Sequence, residues 1–169
     1  MFRIIDPRGD ADDIHVVTNF KLTNCSPNGA ALGPDDELFL GCSAGPEQVI
    51  NIKTGHVVKT VAGTTGGCDE VFFNAGDDHF VGACTDSNSP PFDNLDITNA
   101  DPVQFDVGLN THATGAHSIT ADPVSVTEWM PMFQGACGTG VACVVIYGSS
   151  GFDDRSAFAQ EFAEDHHHR

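Results

Sequence analysis

Basic residues are scarce in this sequence: seven Lys plus Arg stand against 24 Asp plus Glu, for a formal net charge of −17. A nucleic-acid binder neutralises phosphates with a basic stripe, and none is present, so no nucleic-acid partner is expected. Adhesion to an anionic membrane is disfavoured for the same reason. Long apolar runs are missing too, and none approaches the roughly 18 residues of a membrane span. The opening residues, Met1 to Pro7, lack the basic start, apolar run and small-residue cleavage site of a secretory signal. The expectation is a lost leader or a reading frame that starts inside a longer ancestral gene. There is no Gly-x-Ser-x-Gly elbow, phosphate loop, dinucleotide fingerprint or His-Glu-x-x-His. These absences weigh against a serine hydrolase, a kinase and a nicotinamide enzyme.

What the chain does have is turn chemistry. With 18 Gly and 9 Pro in 169 residues and 40% apolar residues, it suits many short strands around one core. Its acids cluster as pairs, Asp12-Asp13, Asp35-Asp36, Asp77-Asp78 and Asp153-Asp154. Aspartate is a preferred turn residue, and the pairs read as turns that also confer solubility. Calcium-loop ligands and a high-salt habitat are the competing readings.

The strongest signal is an internal repeat. Asn28 to Cys42 reads as a short apolar strand, an acidic turn at Pro34 to Asp36 and a second apolar strand ending in cysteine. Asp69 to Cys84 repeats that plan with its turn at Ala75 to Asp78. A third copy opens at His117 and runs through Pro123 to Met130. The copies begin at positions 28, 69 and 117, steps within the roughly 40–50 residues of a four-stranded propeller blade. Gln48 to Ile52 and His56 to Val61, joined by Lys53-Thr54-Gly55, supply the two outer strands of one blade. Phe2 to Asp6 and Ile14 to Phe20 form a similar late-blade pair, and Val141 to Tyr147 is a third strand of the last blade. The expected fold is therefore all-β: a partial β-propeller of four-stranded antiparallel blades over residues 1–152, about three blades' worth. Residues 153–169 form an acidic tail with His166 to His168, expected as a short helix or as disorder.

Superposing the copies gives Asn28, Asp69 and His117 one shared register, six residues before Pro34, Ala75 and Pro123. That position opens the innermost strand, and innermost strands line a propeller's central channel. Three chemically capable side chains are thus expected around one cavity. Each also has an ordinary structural reading: Asn28-Gly29 as a turn dipeptide, Asp69 as a loop acceptor, His117 as a structural histidine. His112 lies in the loop before the last inner strand, while His15, His56 and His79 read as strand residues. Hairpin register sets Cys42 opposite Asn28 and close to Cys25, and Cys84 opposite Asp69 and beside Cys68. With the close spacing of the last two, the six cysteines pair as Cys25–Cys42, Cys68–Cys84 and Cys137–Cys143, which implies a secreted or periplasmic ancestry. The rival is a thiolate metal site, although the spacing is not that of a zinc knuckle.

The stretches Ile4-Ile5-Asp6-Pro7, Pro27-Asn28-Gly29 with Leu32-Gly33-Pro34, Ile50-Asn51-Ile52-Lys53-Thr54-Gly55 and Gly115-Ala116-His117-Ser118 resemble YVTN-type propeller repeat proteins. More distantly, the chain over residues 2–147 resembles the gluconolactonase, regucalcin and paraoxonase class of six-bladed propellers. In that class an Asn in a Pro-Asn-Gly stretch is a calcium ligand and an Asp in another blade assists, so the resemblance implies ligand roles for Asn28 and Asp69. His117 departs from the pattern, because calcium prefers oxygen and imidazole suits zinc, another transition metal, or a general base. The expected function is a metal-dependent hydrolase of a lactone, ester or phosphoester, with Asn28, Asp69 and His117 holding calcium or zinc and with Asp69 and His117 catalytic. Its partners would be a small-molecule substrate and a second copy, the homodimer completing a six-bladed ring. The alternatives are a non-catalytic binding module and a truncated propeller that folds by self-association.

Overall fold

A computed structural model describes residues 2–6, 15–64, 66–85, 93–111, 114–115, 117–132, 137–138 and 140–148. The tail 153–169 and His112 lie outside the described residues. Thirteen strands, and no helix, make up the regular structure of these residues. They form four antiparallel sheets in chain order. β1 (Phe2–Asp6) pairs with β2 (His15–Phe20). β3 (Pro27–Leu32), β4 (Glu37–Cys42), β5 (Gln48–Asn51) and β6 (Val57–Thr60) form an up-and-down four-stranded blade, and β7 (Cys68–Asn74), β8 (His79–Thr85), β9 (Asp93–Ala100) and β10 (Val103–Asn110) form the next. β11 (Thr120–Asp122), β12 (Thr127–Met132) and β13 (Cys143–Gly148) complete the set as a three-stranded sheet. The molecule is thus all-β, built of propeller-like blades.

The blades stack face to face, and three core clusters fill the spaces between them. Leu38, Leu40, Cys42 and Ile50 pack with Phe20 and Leu22 on one side of the first blade. Phe39, Val49, Val71 and Phe80 fill the space between the two four-stranded blades, with the Phe39 and Phe80 rings stacked at 4.8 Å. Val81, Ala83 and Leu95 meet Ile119, Met130 and Met132 on the far side. Successive residues of a strand point to opposite faces, so β4 and β8 bury both. That is why Leu38-Phe39-Leu40 and Phe80-Val81 read as continuous apolar runs. The outer strands β6 and β10 are largely exposed.

The acidic pairs sit where turn chemistry puts them. Asp35 and Asp36 both adopt positive φ (53° and 60°), and the Glu37 amide donates to the Pro34 carbonyl at 2.9 Å. Two positive φ values in a two-residue loop match the right-handed twist of the flanking strands. The longer β7–β8 turn, residues 75–78, uses a single left-handed residue, Asp78 (φ 62°).

All three expected disulfides are present: Cys25–Cys42, Cys68–Cys84 and Cys137–Cys143. They are compatible with an extracellular or periplasmic location. The hairpin register differs from the sequence expectation by one residue. Cys42 faces Pro27 instead of Asn28, and Cys84 faces Cys68 instead of Asp69. Each inner strand carries a β-bulge at that point, and Asn28 and Asp69 are the extra residues.

Candidate functional site at the start of the inner strands

A bulge leaves one residue outside the ladder and re-aims its side chain. Asn28 and Asp69 occupy that place in successive blades, so both side chains leave the plane of their hairpins. Gly29 then lets the blades close up around them. A Cβ at this position would stand 2.7 Å from the Asp69 carbonyl oxygen and 2.9 Å from the Val71 amide nitrogen, so only glycine admits this approach. His117 comes from the segment preceding β11. It does not open that strand, which starts three residues later at Thr120.

The three side chains meet on Asp69. Asn28 Nδ2 donates to Asp69 Oδ1 at 3.1 Å, and His117 Nδ1 donates to Asp69 Oδ2 at 3.0 Å. Each carboxylate oxygen therefore receives one N–H donor from a different blade. With Nδ1 protonated, the lone pair of the imidazole lies on Nε2, and the ring is oriented by the carboxylate behind it. Both His117 and Asp69 are open to solvent. A recess of about 390 Å³ begins at His117 and is walled by Pro131, Met132, Val144 and the Cys143 end of a disulfide, a mainly apolar lining. An oriented base beside an apolar recess is an arrangement that can abstract a proton from water while holding a carbon chain.

The other histidines play different parts. His79 bridges the β7–β8 turn to β10, with Nδ1 2.7 Å from the Asp77 carbonyl and Nε2 3.1 Å from Asp106 Oδ2. Burial alone pulls its pKa down, but the Asp106 and Asp77 contacts outweigh this and raise it. His56 is exposed in the turn before β6.

A second polar cluster, which the sequence did not single out, lies between the two four-stranded blades. Glu47, immediately before β5, is fully buried, and Asp96 of β9 is nearly so. One carboxylate oxygen from each and the sulfurs of Cys68 and Cys84 all lie within 4.8 Å of one another. Burial pushes the Glu47 carboxyl up to about 7, with Asp96 adding to the rise. Glu47 Oε1 stands 2.8 Å from Cys68 Sγ. A bridged sulfur has no proton to donate, so this contact is a hydrogen bond only when Glu47 carries the proton. The sequence hint was a single acid directly before the apolar run Gln48-Val49-Ile50, but its partners come from the neighbouring blade. Farther out, buried Asn74 donates from Nδ2 to Glu128 Oε1 at 3.1 Å and ties the second blade to the last sheet.

No protein-family model matches this chain, and no curated protein matches it. Among solved structures it is similar to hydrazine synthase from Kuenenia stuttgartiensis, at 14% sequence identity and a TM-score of 0.66. The match covers 84% of this chain and 39% of that one, so the chain spans well under half the length of its structural neighbour. Likeness at this identity shows the shared all-β blade architecture and nothing about activity.

Proposed function

We propose that the Asn28–Asp69–His117 constellation is the reacting site of a hydrolase for small lactones, esters or phosphoesters. The observation that supports it is the pair of hydrogen bonds by which two other blades orient themselves on Asp69. His117 Nε2 accepts a proton from the attacking water, and Asp69 holds the ring and stabilises the imidazolium that results. Asn28 hydrogen-bonds the second carboxylate oxygen and fixes the carboxylate plane. The apolar recess beside His117 takes the carbon portion of the substrate.

The donor set also fits a divalent cation. The Asn28 side-chain carbonyl, the Asp69 carboxylate and the His117 imidazole offer two oxygens and a nitrogen, a mixture that suits zinc better than calcium. Such an ion would polarise the substrate oxygen and acidify a bound water.

The test is hydrolysis of a panel of nitrophenyl esters, aliphatic lactones and phosphotriesters by the full chain, before and after chelation. His117→Ala and Asp69→Asn should each lower turnover by about 10²–10⁴-fold while the far-UV circular dichroism stays unchanged. Turnover that survives both substitutions removes the proposal and leaves a binding module. We infer in addition that two copies associate edge to edge. In support of this, β13 presents Val144 and Ile146 about half exposed at the edge of a sheet that, among the described residues, has three strands against four in each full blade.

A further inference from the structure

The cluster between the blades holds four electron-rich ligand groups in a space with no cation among the described residues. Glu47, Cys68, Cys84 and Asp96 are all at most 3% exposed. Their ligand atoms lie mutually within 4.8 Å, and Glu47 Oε2 is buried with no hydrogen-bond partner among the described residues. An orphaned carboxylate oxygen in a dry interior costs on the order of 1–3 kcal/mol, more when charged, and is retained where something compensates it. Two thiolates with two carboxylates are ligand types that zinc accepts in four-coordinate sites. With Zn–S near 2.3 Å and Zn–O near 2.0–2.2 Å, tetrahedral ligand edges come to roughly 3.4–3.8 Å. The cluster lies within about 1 Å of that size, apart from the sulfurs, which are bonded to each other.

The backbone is arranged to keep it so. Cys68 and Cys84 face one another across β7 and β8, and Asp96 faces Gly82 across β8 and β9. A Cβ at Gly82 would stand 3.1 Å from Cys84 Sγ and 3.4 Å from Cys68 Sγ, so glycine leaves the sulfurs room beside the strand. Glu47 reaches in from the other blade, held by Val61, whose amide donates to the Glu47 carbonyl at 2.9 Å. One obstacle separates this cluster from a metal site: the sulfurs are bonded to each other.

We propose that Glu47, Cys68, Cys84 and Asp96 form a redox-gated site for a thiophilic divalent metal of the zinc class, closed while Cys68 and Cys84 are bridged and opened when a dithiol reduces them. In that exchange the dithiol gives two electrons and two protons to the bridge and becomes a disulfide itself, leaving two thiols. The metal then displaces both thiol protons, with any proton on the two carboxyl groups, and binds two sulfurs and two carboxylate oxygens. It replaces the covalent bridge as the link across the hairpin and adds a link to the neighbouring blade through Glu47. The hairpin offers a way in: Cys68 follows the Gly66-Gly67 loop, and Cys84 adjoins exposed Thr85 at the strand end.

The experiment uses the full chain with His166, His167 and His168 replaced by alanine, so that the tail binds no metal. It is reduced with a phosphine and titrated with cobalt(II) under argon. The reduced protein should take up one cobalt ion with thiolate charge-transfer absorption and the intense visible bands of a tetrahedral ion. The unreduced protein should show neither. Glu47→Gln and Asp96→Asn keep all six cysteines and should each weaken cobalt and zinc binding at least about tenfold. Cys68→Ser with Cys84→Ser should abolish the thiolate band. The proposal is overturned if the reduced chain shows no such band, or if Glu47→Gln and Asp96→Asn bind as tightly as the parent. It is equally overturned if reduction unfolds the chain and zinc fails to restore its circular dichroism.

Discussion

Asp69 and Glu47 are two carboxylates with opposite surroundings. Asp69 lies open to solvent with an N–H donor on each oxygen, one of them from the imidazole it orients. Glu47 lies buried beside a disulfide and a second acid, and burial pushes its carboxyl up to about 7. The sign of the resulting pH dependence follows directly. Between its ordinary value of 4.5 and about 7, Glu47 binds more proton in the folded than in the unfolded chain, so stability falls as pH rises through that window. The loss amounts to as much as about 3 kcal/mol and levels off above pH 7. Glu128 is raised in the same direction and adds to it. In the oxidised, metal-free chain, Glu47→Gln should remove most of the decline, giving a flatter urea midpoint between pH 5 and 8. A parent and variant with parallel curves would contradict this.

At the scale of the strand and turn, the bulge and the glycine beside it do the positioning. Gly29→Ala should force β3 and β7 apart, because the new methyl would lie 2.7 Å from backbone that cannot swing away. The expected cost is roughly 1–3 kcal/mol, with hydrolysis falling further than stability, since Asp69 is the residue displaced. Thermal melts alongside turnover on the best ester of the panel separate the two effects. The β11–β12 turn offers the opposite case. Val126 adopts φ 52°, a left-handed conformation that a β-branched residue takes only under strain, whereas the corresponding β3–β4 turn uses aspartates. Val126→Gly should relieve roughly 1 kcal/mol and raise the melting temperature by about 2–4 °C. No rise would show that the Val126 packing outweighs its backbone strain.

Over the whole molecule, the feature with consequences is the uneven strand count. Among the described residues, two sheets have four strands, one has three and one has two. A sheet edge with half-exposed Val144 and Ile146 is a template for another strand, and under the proposed edge-to-edge association a second copy would provide it with reciprocal contacts. Light scattering at micromolar concentration should then give twice the chain mass of 17.8 kDa, and Val144→Lys with Ile146→Lys should return it to the single mass. A compact monomer from the parent chain would rule the dimer out.

The blade plan was legible in the residues themselves, because strand alternation, aspartate turns and a repeat of 40-odd residues are local properties that any contiguous stretch displays. The three disulfides were legible for the same reason: each closes within one hairpin or loop, at separations of 17, 16 and 6 residues. Counting along each copy also grouped Asn28, Asp69 and His117, although His117 precedes its strand where the other two lie within theirs. Their meeting on one carboxylate was not, because it depends on two β-bulges and on how closely Gly29 lets adjacent blades approach. Bulges shift pairing by a single residue without any fixed sequence mark, which is why Cys42 and Cys84 each face one residue earlier than counting predicts. The Glu47 cluster was wholly a product of tertiary structure. Its members come from four separate places in the chain and two blades, and only the stacking of sheet faces puts carboxylates beside a disulfide. Residues set strands and turns through short-range sterics and solvation, whereas the chemistry between blades is decided by packing at a distance.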